Sequence, residues 1–255
     1  MRRLMHGAFL ALAAAALSAA APLPEGVQTA RPAAAGAYPY QLFVPRGYAA
    51  NRNQRWPLVI FLHGSGERGS DIGLVRRNGP PNRVEGRPGS PFLLVSPQLE
   101  AEGVWSPAKL DALLARVRKT YRVDPSRIYL TGLSLGGMGT WEWAMWRPRT
   151  FAAIVPVAAR ADPANACVLK DLPIWAFHGD ADPVVPPEGD FQMVQAVRAC
   201  GGSVPPRLTI YPGVGHDSWT QAYDDPALWR WLMEQRQGAP AREDAVRTVK
   251  ARRGR

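Results

Sequence analysis

Seven short apolar runs, separated by stretches of helical spacing, constrain the fold of this chain more than any other feature. They are Tyr40–Pro45, Pro57–His63, Phe92–Ser96, Arg127–Thr131, Ala152–Val157, Ile174–Phe177 and Arg207–Tyr211. Near-continuous apolar runs suit parallel strands that are covered on both faces, because no position on them needs to meet water. Between them, Pro107–Tyr121 sets Leu110, Leu113, Leu114 and Val117 on one helical face, with Ser106 as cap and Pro107 at the first helical position. Leu135–Trp146, Glu188–Ala199 and Pro226–Gln235 read as further helices. The alternation predicts an α/β fold, a doubly wound and mostly parallel sheet with helices on both faces. A chain of 255 residues suits one such domain, expected here over residues 38–236.

The two ends read differently from this body. Residues 1–21 carry Arg2 and Arg3, an apolar stretch from Gly7 to Ala21 and small residues at its end, the pattern of a secretory signal peptide. Fifteen apolar residues fall short of the roughly 20 needed to span a bilayer, so the expectation is cleavage near Ala20, a secreted or periplasmic product and no stable membrane span. Residues 22–37, rich in Ala and Pro, read as a flexible leader, and 237–255 as a basic, disordered tail. The net charge is +10, of which Arg2 and Arg3 supply two and residues 239–255 supply four, leaving +4 on the body. That mild excess argues against a nucleic-acid partner, which requires a clustered basic face. Export admits a disulfide between Cys167 and Cys200, with two buried thiols as the alternative. Neither cysteine lies in a C-x-x-C motif, no metal-ligand spacing is present, and no cofactor is expected.

The chemistry concentrates at three strand ends. Gly132-Leu133-Ser134-Leu135-Gly136 follows the strand Arg127–Thr131 and precedes a helix, the context of a nucleophile elbow. So tight a reversal tolerates only small flanking residues, and it presents the Ser134 hydroxyl at a helix N-terminus, where developing negative charge is favoured. A serine hydroxyl needs a base. His216, in Gly213-Val214-Gly215-His216-Asp217, lies in a glycine-rich loop after the last strand and is free to swing over the elbow. His63 and His178 each end a strand and precede glycine; both read as structural, their rings satisfied by nearby backbone. The carboxylate that orients the imidazole must come from His178-Gly179-Asp180-Ala181-Asp182, which offers Asp180 and Asp182. A serine, aspartate, histidine order is that of the α/β-hydrolases and not of chymotrypsin or subtilisin.

These residues resemble an α/β-hydrolase of the secreted esterase group that includes polyhydroxybutyrate-depolymerase-like and feruloyl-esterase-like enzymes. The subset labelled predicted peptidase or phospholipase/carboxylesterase is the most similar. The matching stretches are F-L-H-G-S-G-E-R-G (61–69), V-S-P-Q (95–98), Y-L-T-G-L-S-L-G-G-M-G-T-W (129–141), W-A-F-H-G-D-A-D-P-V-V-P (175–186) and Y-P-G-V-G-H-D-S-W (211–219), covering about Tyr40 to Arg236. The resemblance implies Asp182 as the acid, because Asp180 falls on a variable position. It implies oxyanion donors from the backbone N–H of Leu135 and of Ser65, with Gly66 as second choice. Related dienelactone hydrolases place cysteine at the nucleophile, where this chain has Ser134.

The expected reaction is cleavage of a small-molecule or polymeric carboxylic ester through an acyl-enzyme. A serine peptidase with the same triad, or a non-catalytic binding protein on this scaffold, are the alternatives. The connection from Ala158 to Leu172 is too short for a large cap. Trp105 and Trp219 are candidate substrate walls, while Trp141, Trp143 and Trp146 read as core. Glu67 reads either as a brace for the oxyanion loop or as a surface carboxylate. The Arg68–Pro91 loop, with Arg68, Arg76, Arg77, Arg83 and Arg87, reads as a solvated loop or an anion contact.

Overall fold

Successive residues of the central strands enter two different cores, and this sorting organises the molecule. Leu58, Ile60, Leu62, Ile128 and Leu130 point to one face of the sheet, whereas Val59, Phe61 and Tyr129 point to the other. Side chains alternate across a strand, so an uninterrupted apolar run must be buried twice. The computed structural model describes residues 22–34 and 36–238. The signal-peptide expectation and the tail from residue 239 lie outside them.

Eight strands form one sheet: β1 (Gln28–Arg31), β2 (Tyr40–Phe43), β3 (Trp56–Leu62), β4 (Leu93–Pro97), β5 (Val123–Leu133), β6 (Ala153–Val157), β7 (Trp175–Gly179) and β8 (Arg207–Tyr211). Their spatial order is β1-β2-β4-β3-β5-β6-β7-β8. β1 pairs with β2, and β2 with β4, in antiparallel fashion; every other pairing is parallel. The helices are α1 (Gly79–Glu85), α2 (Pro107–Thr120), α3 (Leu135–Trp146), α4 (Glu188–Ala199), α5 (Trp219–Asp224) and α6 (Pro226–Glu234). α2, α3 and α4 supply the first core, with Leu110, Trp141 and Met193 among its members. α1, α5 and α6 supply the second, through Val84, Tyr223 and Leu228. This is the α/β-hydrolase architecture, and the β6–β7 connection carries only a short 3-10 turn, Pro163–Leu169, with no cap domain among the described residues. Ser106 caps α2 as its sequence implies, accepting from the Lys109 N–H at 3.4 Å.

Four sequence expectations need correction. The leader contains an ordered edge strand: β1 runs in register along β2 from Gln28↔Phe43 to Arg31↔Tyr40, and the Gln28 side chain donates to the Pro81 carbonyl and to Glu85. The segment 68–91 is not an open loop, because it holds α1. Within it Arg76 is paired with Glu85 at 2.6 Å, Arg83 is paired with Asp224, and Arg68 donates to the Ser65 and Gly103 carbonyls. Trp146 is 60% exposed, while Trp141 and Trp143 are buried as expected. At the other end Gln237, assigned to the tail, donates its backbone N–H to the Ser126 carbonyl.

Cys167 and Cys200 form a disulfide that ties the 3-10 turn before β7 to the end of α4, with Cα atoms 5.4 Å apart. Closing a loop of this size stabilises the fold by roughly 3–4 kcal/mol in the chain-entropy treatment.

Candidate active site

The strand order reverses direction at β3, whose neighbours are β4 on one side and β5 on the other. In open α/β sheets the crevice outside the carboxyl ends of strands at such a point is the place where ligands bind. The ends of β3 and β5 bring His63-Gly64-Ser65 and Ser134 to this crevice, and β7 and β8 deliver Asp182 and His216 alongside.

Ser134 links β5 to α3 with φ 52° and ψ −120°, a left-handed conformation that non-glycine residues seldom adopt. Its N–H is fixed to the Val157 carbonyl at 2.9 Å. The flanking glycines have a steric cause. A Cβ on Gly132 would strike the backbone of Gly136, and one on Gly136 would strike the backbone of Leu62 and His63. The elbow can therefore close only on glycine. Leu135 opens α3, and a first-turn N–H has no intrahelical acceptor, so its donor is available to an oxyanion. The Ser65 loop lies on the opposite side: a Cβ added at Gly64 would sit 3.5 Å from the Ser134 Cβ. Ser65 and Gly66 are both exposed there.

His216 Nε2 lies 3.0 Å from Ser134 Oγ, and its Nδ1 lies 2.7 Å from Asp182 Oδ2. The other carboxylate oxygen, Oδ1, accepts the N–H groups of Val184 at 2.8 Å and Val185 at 3.0 Å. Burial pushes the Asp182 pKa up, but the His216 hydrogen bond and these two amides outweigh it and hold the carboxyl below its ordinary range. Asp180 plays a different part, since its Oδ1 accepts the Gly213 N–H at 2.6 Å and so shapes the turn that carries His216. Gly179 is needed because a Cβ there would collide with the Val214 carbonyl.

Of the two candidate tryptophan walls, only Trp219 stands at the site, edge-on to His216 with ring centroids 5.1 Å apart. Trp105 is 3% exposed, donates to the His63 carbonyl at 3.3 Å and packs against Tyr38. It is core. Glu67 is also buried, accepting from Asn78 Nδ2 beneath the Ser65 turn, which excludes the surface-carboxylate alternative.

His63 matches its structural reading. Its Nδ1 donates to the Gly64 carbonyl at 2.6 Å, its Nε2 accepts the Leu99 N–H at 3.0 Å, and burial drives the ring down to about 4. His178 departs from it. Besides the Val185 carbonyl, its ring meets two carboxylates: Asp190 Oδ2 at 2.8 Å and Asp182 Oδ2 at 3.2 Å. Nothing in the sequence singles out Asp190, which is wholly buried in the first turn of α4. It also accepts Trp141 Nε1 at 2.7 Å and the Ala159 N–H at 2.9 Å. An aspartate in a helix first turn is a common surface feature, so only its burial marks it.

The comparisons with known proteins agree with this geometry. A phospholipase/carboxylesterase family model matches residues 106–225, the stretch that holds the elbow, Asp182 and His216. Over 188 residues the chain is 30% identical to a protein described as esterase NocK, from Nocardia uniformis subsp. tsuyamanensis, covering 67% of this chain and 52% of that one. A crystal structure of a thermostable esterase superposes with a TM-score of 0.68 at 34% identity, over 82% of this chain and 63% of that one. A ferulic acid esterase shares the fold, with a TM-score of 0.63 at 19% identity over 81% and 97% of the two chains. The chain spans about half the length of the curated relatives it matches.

Proposed function

We propose that the chain is an esterase-like α/β-hydrolase that cleaves carboxylic esters through an acyl-enzyme formed on Ser134. The observation that carries this reading is His216 bridging Ser134 Oγ at 3.0 Å and Asp182 at 2.7 Å.

His216 Nε2 takes the Ser134 proton as the hydroxyl attacks the ester carbonyl, and Asp182 holds the Nδ1–H tautomer and stabilises the imidazolium. The tetrahedral oxyanion is held by the N–H of Leu135 and a second N–H from the Ser65-Gly66 turn. The imidazolium then protonates the departing alkoxide. A water molecule, deprotonated by His216, releases the acid and restores the serine. Trp219 buttresses the edge of His216 and walls that side of the crevice. With no cap over the strand ends among the described residues, the site admits bulky or polymeric esters as well as small ones. We further place the protein outside the cytoplasm, on the strength of the signal-like residues 1–21 and a disulfide that an oxidising compartment preserves.

Hydrolysis of short p-nitrophenyl esters, with the matched anilides as amide controls, tests the reading. The wild type should cleave the esters and leave the anilides largely intact, and Ser134→Ala should lose ester turnover by several orders of magnitude with its fold unchanged. Wild-type-like turnover in Ser134→Ala would defeat it.

A further inference from the structure

We propose that His178 is a buried imidazolium, with Asp190 as its counter-ion, that acts as a positioning residue for Asp182. The assignment rests on what its ring nitrogens meet. Nδ1 faces Asp190 Oδ2 at 2.8 Å, and Nε2 faces the Val185 carbonyl at 2.8 Å and Asp182 Oδ2 at 3.2 Å. All three are acceptors. A neutral imidazole carries one N–H and one lone pair, so either neutral tautomer would aim a lone pair at an oxygen in a site where His178, Asp182 and Asp190 side chains are all fully buried. Protons on both nitrogens remove that conflict.

The carboxylates fit the same assignment. Asp190 receives N–H groups from Trp141, Ala159 and His178. Asp182 receives those of Val184 and Val185 on one oxygen and His216 on the other. Each is surrounded by donors, as an ionised carboxylate requires. The charged groups facing His178 are Asp190 from α4 and Asp182 from the loop after β7, with His216 from the loop after β8 beyond Asp182; the segment after β6 contributes the Ala159 backbone N–H, through Asp190. Burial alone would strip the ring of its proton, but the Asp190 hydrogen bond and charge, the Val185 carbonyl and Asp182 together raise its pKa above the ordinary histidine value.

The consequence for catalysis is specific and rests on the ester-hydrolase reading. The imidazolium draws on the same Asp182 oxygen that serves His216, and it fixes that oxygen in place. It keeps Asp182 ionised and tempers the proton affinity that a lone buried carboxylate would give His216. Loss of the imidazolium should therefore displace the acidic limb of the activity profile.

Two measurements decide this. Side-chain 1H–15N correlation spectra of the labelled wild-type protein at about pH 6 should show both His178 nitrogens protonated, whereas His63 should show one. A neutral tautomer at His178 there overturns the charge assignment, and this readout needs neither turnover nor a variant. In His178→Gln, whose amide can still donate to Val185, the acidic limb of the kcat/KM profile should move up by about one pH unit, a tenfold change in proton affinity. A folded H178Q with lower activity but an unmoved limb would reduce His178 to packing and overturn the positioning role. An inactive wild type with a doubly protonated His178 would instead defeat the ester-hydrolase reading alone.

Discussion

His63 and His178 end two parallel strands of one sheet, each is followed by glycine, and neither has solvent exposure. In sequence they are nearly interchangeable. In the folded protein one meets a donor and an acceptor and is held neutral, whereas the other meets only acceptors. The difference lies in what the rest of the chain delivers to each strand end. β3 is flanked by the Leu99 amide and the Trp105 ring; β7 is flanked by Asp190 from α4 and by Asp182. Burial in a protein sets the stakes of a histidine's protonation, and the hydrogen-bond partners choose its outcome.

The comparison breaks most visibly at Asp182, which belongs to the His178 side. Asp182→Asn should reduce kcat by about 10⁴-fold, because the amide cannot hold the required His216 tautomer; Asp180→Asn, whose carboxylate holds the Gly213 turn, should cost less than about tenfold on the same scale. Steady-state ester kinetics on the two variants check this, and equal losses would mean that the carboxylate roles are misassigned.

A smaller effect is expected on the His63 side, in stability. His63→Ala leaves the Leu99 N–H and the Gly64 carbonyl without partners and opens a void against Trp105, a loss of about 2–4 kcal/mol in urea unfolding.

The smallest effect is a difference in pH slope. His63 is carried down to about 4 from 6.5, so its neutral form favours the fold fully above about 6.5, and that contribution is lost as pH falls toward 4. His178 is raised, so its contribution is full below about 6.5 and is lost as pH rises through its folded value. Unfolding curves at acid and alkaline pH should therefore show the acid-side loss diminished in a His63 variant and the alkaline-side loss diminished in H178Q. Slopes of the same sign for both histidines would erase the distinction.

The layered fold was legible because β3, β5 and β7 advertise two-sided burial in their own composition. The elbow was legible because its tight reversal shows within one five-residue motif, Gly132 to Gly136, although Gly136 itself is required by the backbone of Leu62 and His63. β1, α1 and α5 were not legible. β1 is four residues of Gln-Thr-Ala-Arg held by its partner strand and by α1. α1 begins Gly79-Pro80-Pro81, which reads as a turn, and α5 has six residues, too few for a period to show. The same limit applies inside the site. Ser134, Asp182 and His216 sit in distinctive local motifs, whereas Asp190 acquires its role only because α4 is laid against the end of β7. Trp105 was misplaced for the converse reason. Its position near a strand end suggested the crevice, yet a Cβ on Gly139 would strike its side chain, so α3 presses it into the core.

The proposed hydrolysis rests on a Ser134 hydroxyl that His216 makes nucleophilic. Treatment of the native protein with a fluorophosphonate, followed by peptide mass spectrometry, tests that directly. One adduct on Ser134, abolished in Ser134→Ala and slowed by orders of magnitude in His216→Ala, is the predicted result. An unlabelled protein, or an adduct on any other residue, would contradict it.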